Sequence, residues 1–215
     1  MCGRYIRRLI REDVLKHFDV IDTNNYFENY KPSEEVFPGE PIFAINNKHE
    51  AEDVFWTIRD EDQWGKPVRS INARAENVLK ISAFKELFLT DRILIPATGL
   101  YEWYTPDKGK KVKYEITFSE PIFAFGGFAG DFGIKDKMTR CGVIMTTKSN
   151  ETFKRIHNIK QRQAVVIYPA DYDKWLNPET PLEELKELTQ PKPDEETHAN
   201  EVGEPPKPEA PTLFD

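Results

Sequence analysis

Residues 92–128 read RILIPATGLYEWYTPDKGKKVKYEITFSEPIFAFGGF. The segment holds four short apolar, aromatic-rich runs, Arg92–Pro96, Leu100–Tyr104, Val112–Phe118 and Ile122–Phe128, and each reads as a strand. Pro106-Asp107-Lys108-Gly109 between the second and third is a hairpin turn signal. Working outward, Cys141–Thr147 and Ala164–Tyr168 are further strand runs. Arg11–Phe18, Ser82–Phe88, Asn150–Ile156, Asp171–Leu176 and Pro181–Leu188 read as short helices, with Ser82 expected as an N-cap. Strands occur in clusters and do not alternate with helices. That order predicts an α+β domain with a mixed, barrel-like β core and short peripheral helices, not a doubly wound sheet.

The chain has 215 residues, which suits a single compact domain, expected here over 1–190 with its core in 1–178. From Pro191 onward the composition turns to Pro, Glu, Asp, Lys and Thr. Such a segment buries too little apolar surface to offset its ordering entropy, so 191–215 is expected to be a disordered acidic tail. The net charge of −7 is a property of this end: residues 179–215 hold 11 acidic residues and 3 lysines, whereas 1–178 carries a net +1. A near-neutral body can still present a basic groove, and Arg4, Arg7, Arg8 and Arg11 cluster at its start, so the charge total does not exclude a nucleic-acid partner. Two cysteines make no disulfide framework and point to a reducing compartment, with a cytoplasmic location expected. The first ten residues lack the apolar stretch of a signal peptide, and no run is long enough to cross a membrane. No CxxC, HxH or HExxH spacing occurs, and neither a metal nor a cofactor is expected.

Cys2 is the most informative residue. Removal of Met1 leaves an α-amine and a thiol two carbons apart, with ordinary pKa values near 7.7–8.0 and 8.5. Such a 1,2-aminothiol condenses with an aldehyde to an imine, and the thiolate then closes a thiazolidine. An N-terminal nucleophile attacking an amide is the other use of the same groups. Three segments offer supporting chemistry. Asn72, Arg74 and Glu76 alternate along an extended stretch and are expected on one side of it, with Arg74 able to grip a phosphate and Asn72 an amine or hydroxyl. Glu102 lies in an aromatic strand, on the face of Leu100 and Tyr104, where burial would raise its pKa toward neutrality and suit it to proton transfer. His157 follows the turn Thr146-Thr147-Lys148-Ser149-Asn150, whose hydroxyls and helix N-terminus could hold an anion. Cys141 is expected to be a core thiol, and Gly126-Gly127 to mark close backbone packing.

Met1-Cys2-Gly3-Arg4-Tyr5, Asn72-Ala73-Arg74-Ala75-Glu76, Ile95-Pro96-Ala97 with Gly99-Leu100-Tyr101-Glu102-Trp103, the Thr146-Thr147…Asn150 turn and Ile156-His157 occur in that order. Together they resemble the SRAP family, the SOS-response-associated peptidase proteins, over about residues 1–178. The resemblance implies a protein that binds single-stranded DNA and crosslinks covalently to abasic sites, shielding the lesion. It implies Cys2 as the crosslinking residue, Glu102 and His157 as acid/base groups and Asn72 as the residue positioning the Cys2 end. Arg4 and Arg74 would hold phosphates, with Thr147 and Ser149 also on the strand and Trp103 packed by the site. A monomer is expected, and an imine intermediate would also allow weak strand-cleaving lyase activity. The family name records a peptidase proposal, the removal of residues preceding the cysteine. Two alternatives stand beside this reading: an N-terminal-nucleophile peptidase or amidase using Cys2, and a non-catalytic single-strand-binding module. The family's His-Asp-Arg-Met-Pro run appears here as His157-Asn158, then an apparent insertion, then Arg162-Gln163-Ala164. Its Trp-Gly-Leu-Ile-Pro segment appears as Trp56-Thr57-Ile58-Arg59. The chain ends in Thr212-Leu213-Phe214-Asp215, and Leu213 and Phe214 resemble the terminal Leu-Phe pair of sliding-clamp ligands, so a clamp is a further expected partner.

Overall fold

The computed structural model describes residues 3–61, 67–134 and 137–203. In chain order it begins with β1 (Tyr5–Arg7), α1 (Arg11–Phe18), β2 (Ser33–Val36), β3 (Pro41–Ile45) and β4 (Ala51–Trp56). The hairpin β5 (Ile58–Glu61) and β6 (Pro67–Ser70) leads to β7 (Asn72–Arg74) and α2 (Ser82–Thr90). Five strands follow: β8 (Arg92–Ala97), β9 (Gly99–Tyr104), β10 (Val112–Phe118), β11 (Phe123–Ile134) and β12 (Lys137–Lys148). The chain closes with α3 (Glu151–Ile156), β13 (Arg162–Ala164), β14 (Val166–Ile167), α4 (Tyr172–Leu176), α5 (Leu182–Leu188) and β15 (Thr197–Glu201).

The expected mixed, barrel-like core is present. β12 runs parallel to β4 (Cys141↔Phe55), and β4 pairs antiparallel with β3 (Phe43↔Asp53). β3 pairs with β8 (Ile45↔Leu94), β8 with β11 (Gly126↔Leu94), and β11 returns to β12 (Gly127↔Ile144), closing a ring of five strands. Gly126 and Gly127 sit at this closure for a steric reason. A Cβ on Gly127 would stand 2.4 Å from the Val143 carbonyl, and one on Gly126 2.7 Å from the Trp175 ring. Cys141 is buried in the core.

A second sheet, ordered β15-β10-β9-β1-β2, lies across the barrel. Its Tyr5, Leu100, Ile116 and Phe118 interleave with Trp56, Ile93 and Phe125 of the barrel in one apolar cluster. Tyr5 meets the Trp56 and Phe125 rings edge to face, at 5.5 and 5.7 Å between centroids. β9 is central in this sheet, so period-2 alternation gives it one face toward the barrel and one outward. Lys113 stacks over Tyr101 and Trp103 on the outer face, which puts Glu102 with Leu100 on the inner one.

Three expectations need correction. Ser82 is the first helical residue and not the cap; Ile81 takes that position with no side-chain bond. The chain leaves β7 after Arg74 for a 3₁₀ turn at Ala75–Lys80, so Glu76 does not stay on the strand with Asn72 and Arg74. The segment from Pro191 is ordered through the described residues. Asp194–Glu196 form a 3₁₀ turn, and β15 pairs antiparallel with β10 (Ile116↔Ala199). Pairing satisfies the backbone groups that a polar segment otherwise leaves to water, which composition alone does not register. Leu213 and Phe214 lie outside the described residues.

Candidate active site

A cavity of about 620 Å³ opens where β1, β9 and the loop after α3 converge. Gly3 and Arg4, Glu102 and Trp103 of β9, and His157 and Lys160 line it. Ile71, Thr105, Lys111 and Ile159 complete the wall.

Glu102 is 4% exposed and His157 8% exposed, and Glu102 Oε1 stands 3.9 Å from His157 Nδ1. Burial pushes the Glu102 carboxyl up to about 7, because its charged form has lost water. Burial lowers the His157 pKa for the same reason, the charged form here being the imidazolium. Both groups are thereby driven toward neutrality. His157 Nδ1 lies 3.0 Å from the Arg162 carbonyl. A carbonyl only accepts, so Nδ1 donates this bond and Nε2 of the neutral ring carries the lone pair.

The imidazole is held from several directions. His157 caps the C-terminus of α3, its N–H donating to the Phe153 carbonyl at 2.7 Å. At the other end of α3, Asn150 accepts from Phe153 N at 2.9 Å, while its amide donates to the Lys192 carbonyl and to Thr197 Oγ1. The Asp194 carboxylate accepts from Glu151 N at 3.1 Å and Thr152 N at 2.7 Å. The anion expected at this helix N-terminus is therefore supplied by the protein's own C-terminal segment. Beyond His157, the Asn158 side chain accepts from Thr105 N and donates to Thr105 O, fixing the loop to the end of β9.

Arg4 lies between the rings of Phe37 and Trp103, 4.6 and 5.1 Å from their centroids, and donates to Glu35 at 3.0 Å. Lys113 donates to the same Glu35 oxygen at 3.1 Å. Although burial alone would raise it, these bonds hold the Glu35 carboxyl below its ordinary pKa. Asn72 is buried on β7 directly after the wall residue Ile71, whose carbonyl accepts from the Trp56 indole at 2.8 Å. The departure around Trp56 thus keeps a buried tryptophan that supports the cavity wall.

Arg74 is exposed at the end of β7, and neither it nor Ser149 lines this cavity. Thr147 is buried and lines a separate cavity of about 390 Å³ with Glu76. Cys2 precedes Gly3 and lies outside the described residues. Sequence reasoning missed Lys111, Ile159, Lys160 and Asp194. The first was visible as part of the lysine-rich hairpin from Lys108 to Lys113; the middle two belong to the insertion after Asn158.

Comparison with known proteins places these features in a family context. The family model for SOS response associated peptidase (SRAP) matches residues 1–205. The chain is 31% identical over 191 residues to "Abasic site processing protein YoaM" of Bacillus subtilis, covering 83% of this chain and 80% of that protein. It is 30% identical over 213 residues to "Abasic site processing protein YoqW" of the same organism, covering 94% and 92%. A crystal structure of a protein from Bacteroides thetaiotaomicron superposes with a TM-score of 0.80 at 23% identity, covering 94% of this chain and 92% of that one.

Proposed function

The chain belongs to the SOS response associated peptidase family, and on that premise we propose that it processes abasic sites in single-stranded DNA by forming a covalent link to them through Cys2. One observation carries the reading: a buried carboxyl poised near pH 7 faces a neutral imidazole in a cavity that Gly3 helps to line. Adjacent Cα atoms are about 3.8 Å apart, so residue 2 begins within one peptide of that cavity. The relatives named for abasic site processing supply the substrate class.

An abasic sugar is mostly a cyclic hemiacetal and must open before it can react. His157 Nε2 takes the proton of the C1′ hydroxyl while the Glu102 carboxylic acid gives one to the ring oxygen, releasing the aldehyde. The Cys2 amine, freed by removal of Met1, adds to C1′, and water leaves to form an imine. The Cys2 thiolate then adds to C1′, the nitrogen takes up a proton, and a thiazolidine results. Aldehyde and aminothiol combine with net loss of one water. The imine stage also admits slow β-elimination at the 3′ phosphate. Asn72 positions the Cys2 end, Arg4 and Arg74 hold flanking phosphates, and Trp103 packs beside the sugar. Arg4, Lys111 and Lys160 make the mouth basic in an otherwise near-neutral body, which suits a polyanionic strand.

The test is denaturing electrophoresis after incubation with abasic single-stranded DNA. Wild type is expected to give an adduct that survives heating without borohydride, and Cys2→Ser to give none that survives, since an oxazolidine hydrolyses readily. A Cys2→Ser adduct as durable as wild type's would rule out the aminothiol chemistry.

A further inference from the structure

The loop between His157 and Arg162 carries an apolar side chain where solubility alone would not place one. Ile159 is 70% exposed, yet it lines the Glu102–His157 cavity together with Lys160 and Lys111. Its placement is fixed rather than frayed. Asn158 exchanges two hydrogen bonds with the backbone of Thr105, at 3.1 and 2.8 Å. Gln161 N donates to the His157 carbonyl at 2.8 Å and closes the loop with φ at +50°, a left-handed conformation uncommon for a side chain of this kind. The loop thus holds a large aliphatic group out into water at the mouth of the site.

Resting on the function proposed above, we infer that Ile159 is a lesion-flank sensor that caps the face of the nucleobase next to the missing one. Loss of a base exposes the apolar faces of its neighbours, which in an intact stack are covered. An aliphatic side chain held beside the reacting sugar covers one of them and sheds water from both surfaces. Lys160 and Lys111, which line the same cavity, meet phosphates beside that nucleotide. Apolar capping beside cations suits a nucleic-acid strand and no purely anionic small ligand. Ile159 touches substrate without taking part in bond-making.

The test uses oligonucleotides with a tetrahydrofuran abasic analogue, which lacks the C1′ hydroxyl and so reports binding without chemistry. With purines flanking the lesion, Ile159→Ala is expected to bind about 5–10-fold more weakly than wild type, the scale of losing part of one buried aliphatic group. The slope of log affinity against log salt stays the same, because no phosphate contact is lost. Ile159→Leu restores affinity. When both flanking nucleotides also lack bases, the difference between wild type and Ile159→Ala falls below about twofold. Equal binding by wild type and Ile159→Ala on the purine-flanked strand overturns the inference, as does an equal loss on strands without flanking bases. Wild type that fails to bind either strand overturns the underlying function as well, which separates the two failures.

Discussion

Glu76 and Glu102 meet partners from opposite ends of one loop and are treated in opposite ways. Glu76 grips the Arg162 guanidinium with both carboxylate oxygens, and Arg162 also donates to the Thr146 carbonyl at 2.8 Å. Burial alone would raise the Glu76 carboxyl, but the Arg162 bond, a bond from its own backbone N–H and the Arg162 and Arg74 charges together hold the group below its ordinary pKa. Glu102 is more deeply buried, faces an imidazole, and is pushed up to about 7. His157 and Arg162 are five residues apart and already joined through the Arg162 carbonyl, so a strong cation is close at hand. The fold spends that cation on Glu76 and leaves Glu102 to titrate near neutrality. One carboxyl is held charged and the other near its midpoint at neutral pH, a separation that suits the acid role proposed for Glu102.

The largest expected consequence falls on Glu102. Glu102→Gln keeps the shape and removes the proton, so crosslinking in single-turnover assays is expected to slow by about 10²–10⁴-fold with strand affinity nearly unchanged. Stability moves the other way. A carboxyl whose folded pKa lies above its unfolded value binds its proton more tightly in the folded state, so wild type loses stability as pH rises from about 4.5 to about 7. Glutamine has no proton to lose. Urea unfolding is therefore expected to find Glu102→Gln more stable than wild type at pH 8, by on the order of 3 kcal/mol, with the gap closing toward pH 4.5. A variant destabilised at pH 8 would show Glu102 to be a structural acid like Glu76.

Glu76→Gln should behave as its counterpart. It leaves the buried Arg162 guanidinium with the Thr146 carbonyl and no carboxylate, and is expected to lower stability by about 1–2 kcal/mol, less than a fully buried pair because Glu76 reaches solvent. Crosslinking should change by less than about tenfold, since the contact that orients His157 is a backbone carbonyl. A rate loss matching that of Glu102→Gln would erase the distinction between the two carboxylates.

The smallest effect concerns Asp194, which reaches the site only through α3. Asp194→Ala removes an N-terminal carboxylate from two backbone donors and is expected to cost about 1 kcal/mol, read by thermal unfolding. If stability is unchanged, the C-terminal segment does not brace the helix that ends at His157.

Much of this was legible in the chain. The runs between Arg92 and Phe128 became strands β8 to β11, with every start within one residue and only the end of β11, at Ile134, missed, because period, turn chemistry and aromatic content agree locally. Glu102 stood out because a carboxylate between Tyr101 and Trp103 conflicts with its surroundings, and such conflicts gather at functional sites. Strands β1 to β6 and β15 were not read. β1 and β15 pair with β9 and β10, far along the chain, and β15, Thr197–Glu201, buries only its first residue, so it has no alternation to detect. The helix N-terminus at Asn150 was read as able to hold an anion, but nothing local reveals that Asp194 occupies it. The pairing of Glu76 with Arg162 was equally hidden, since spacing along an extended segment cannot show where the chain turns into a 3₁₀ helix.

The proton held by Glu102 is the pivot of the proposed chemistry, and the pH dependence of single-turnover adduct formation tests it. Wild type is expected to lose rate on the alkaline side with an inflection near pH 7, as Glu102 gives up the proton it must donate. Glu102→Gln is expected to be slow at every pH and to lack that inflection. An alkaline limb near pH 7 that persists unchanged in Glu102→Gln would contradict the assignment of the acid to this residue.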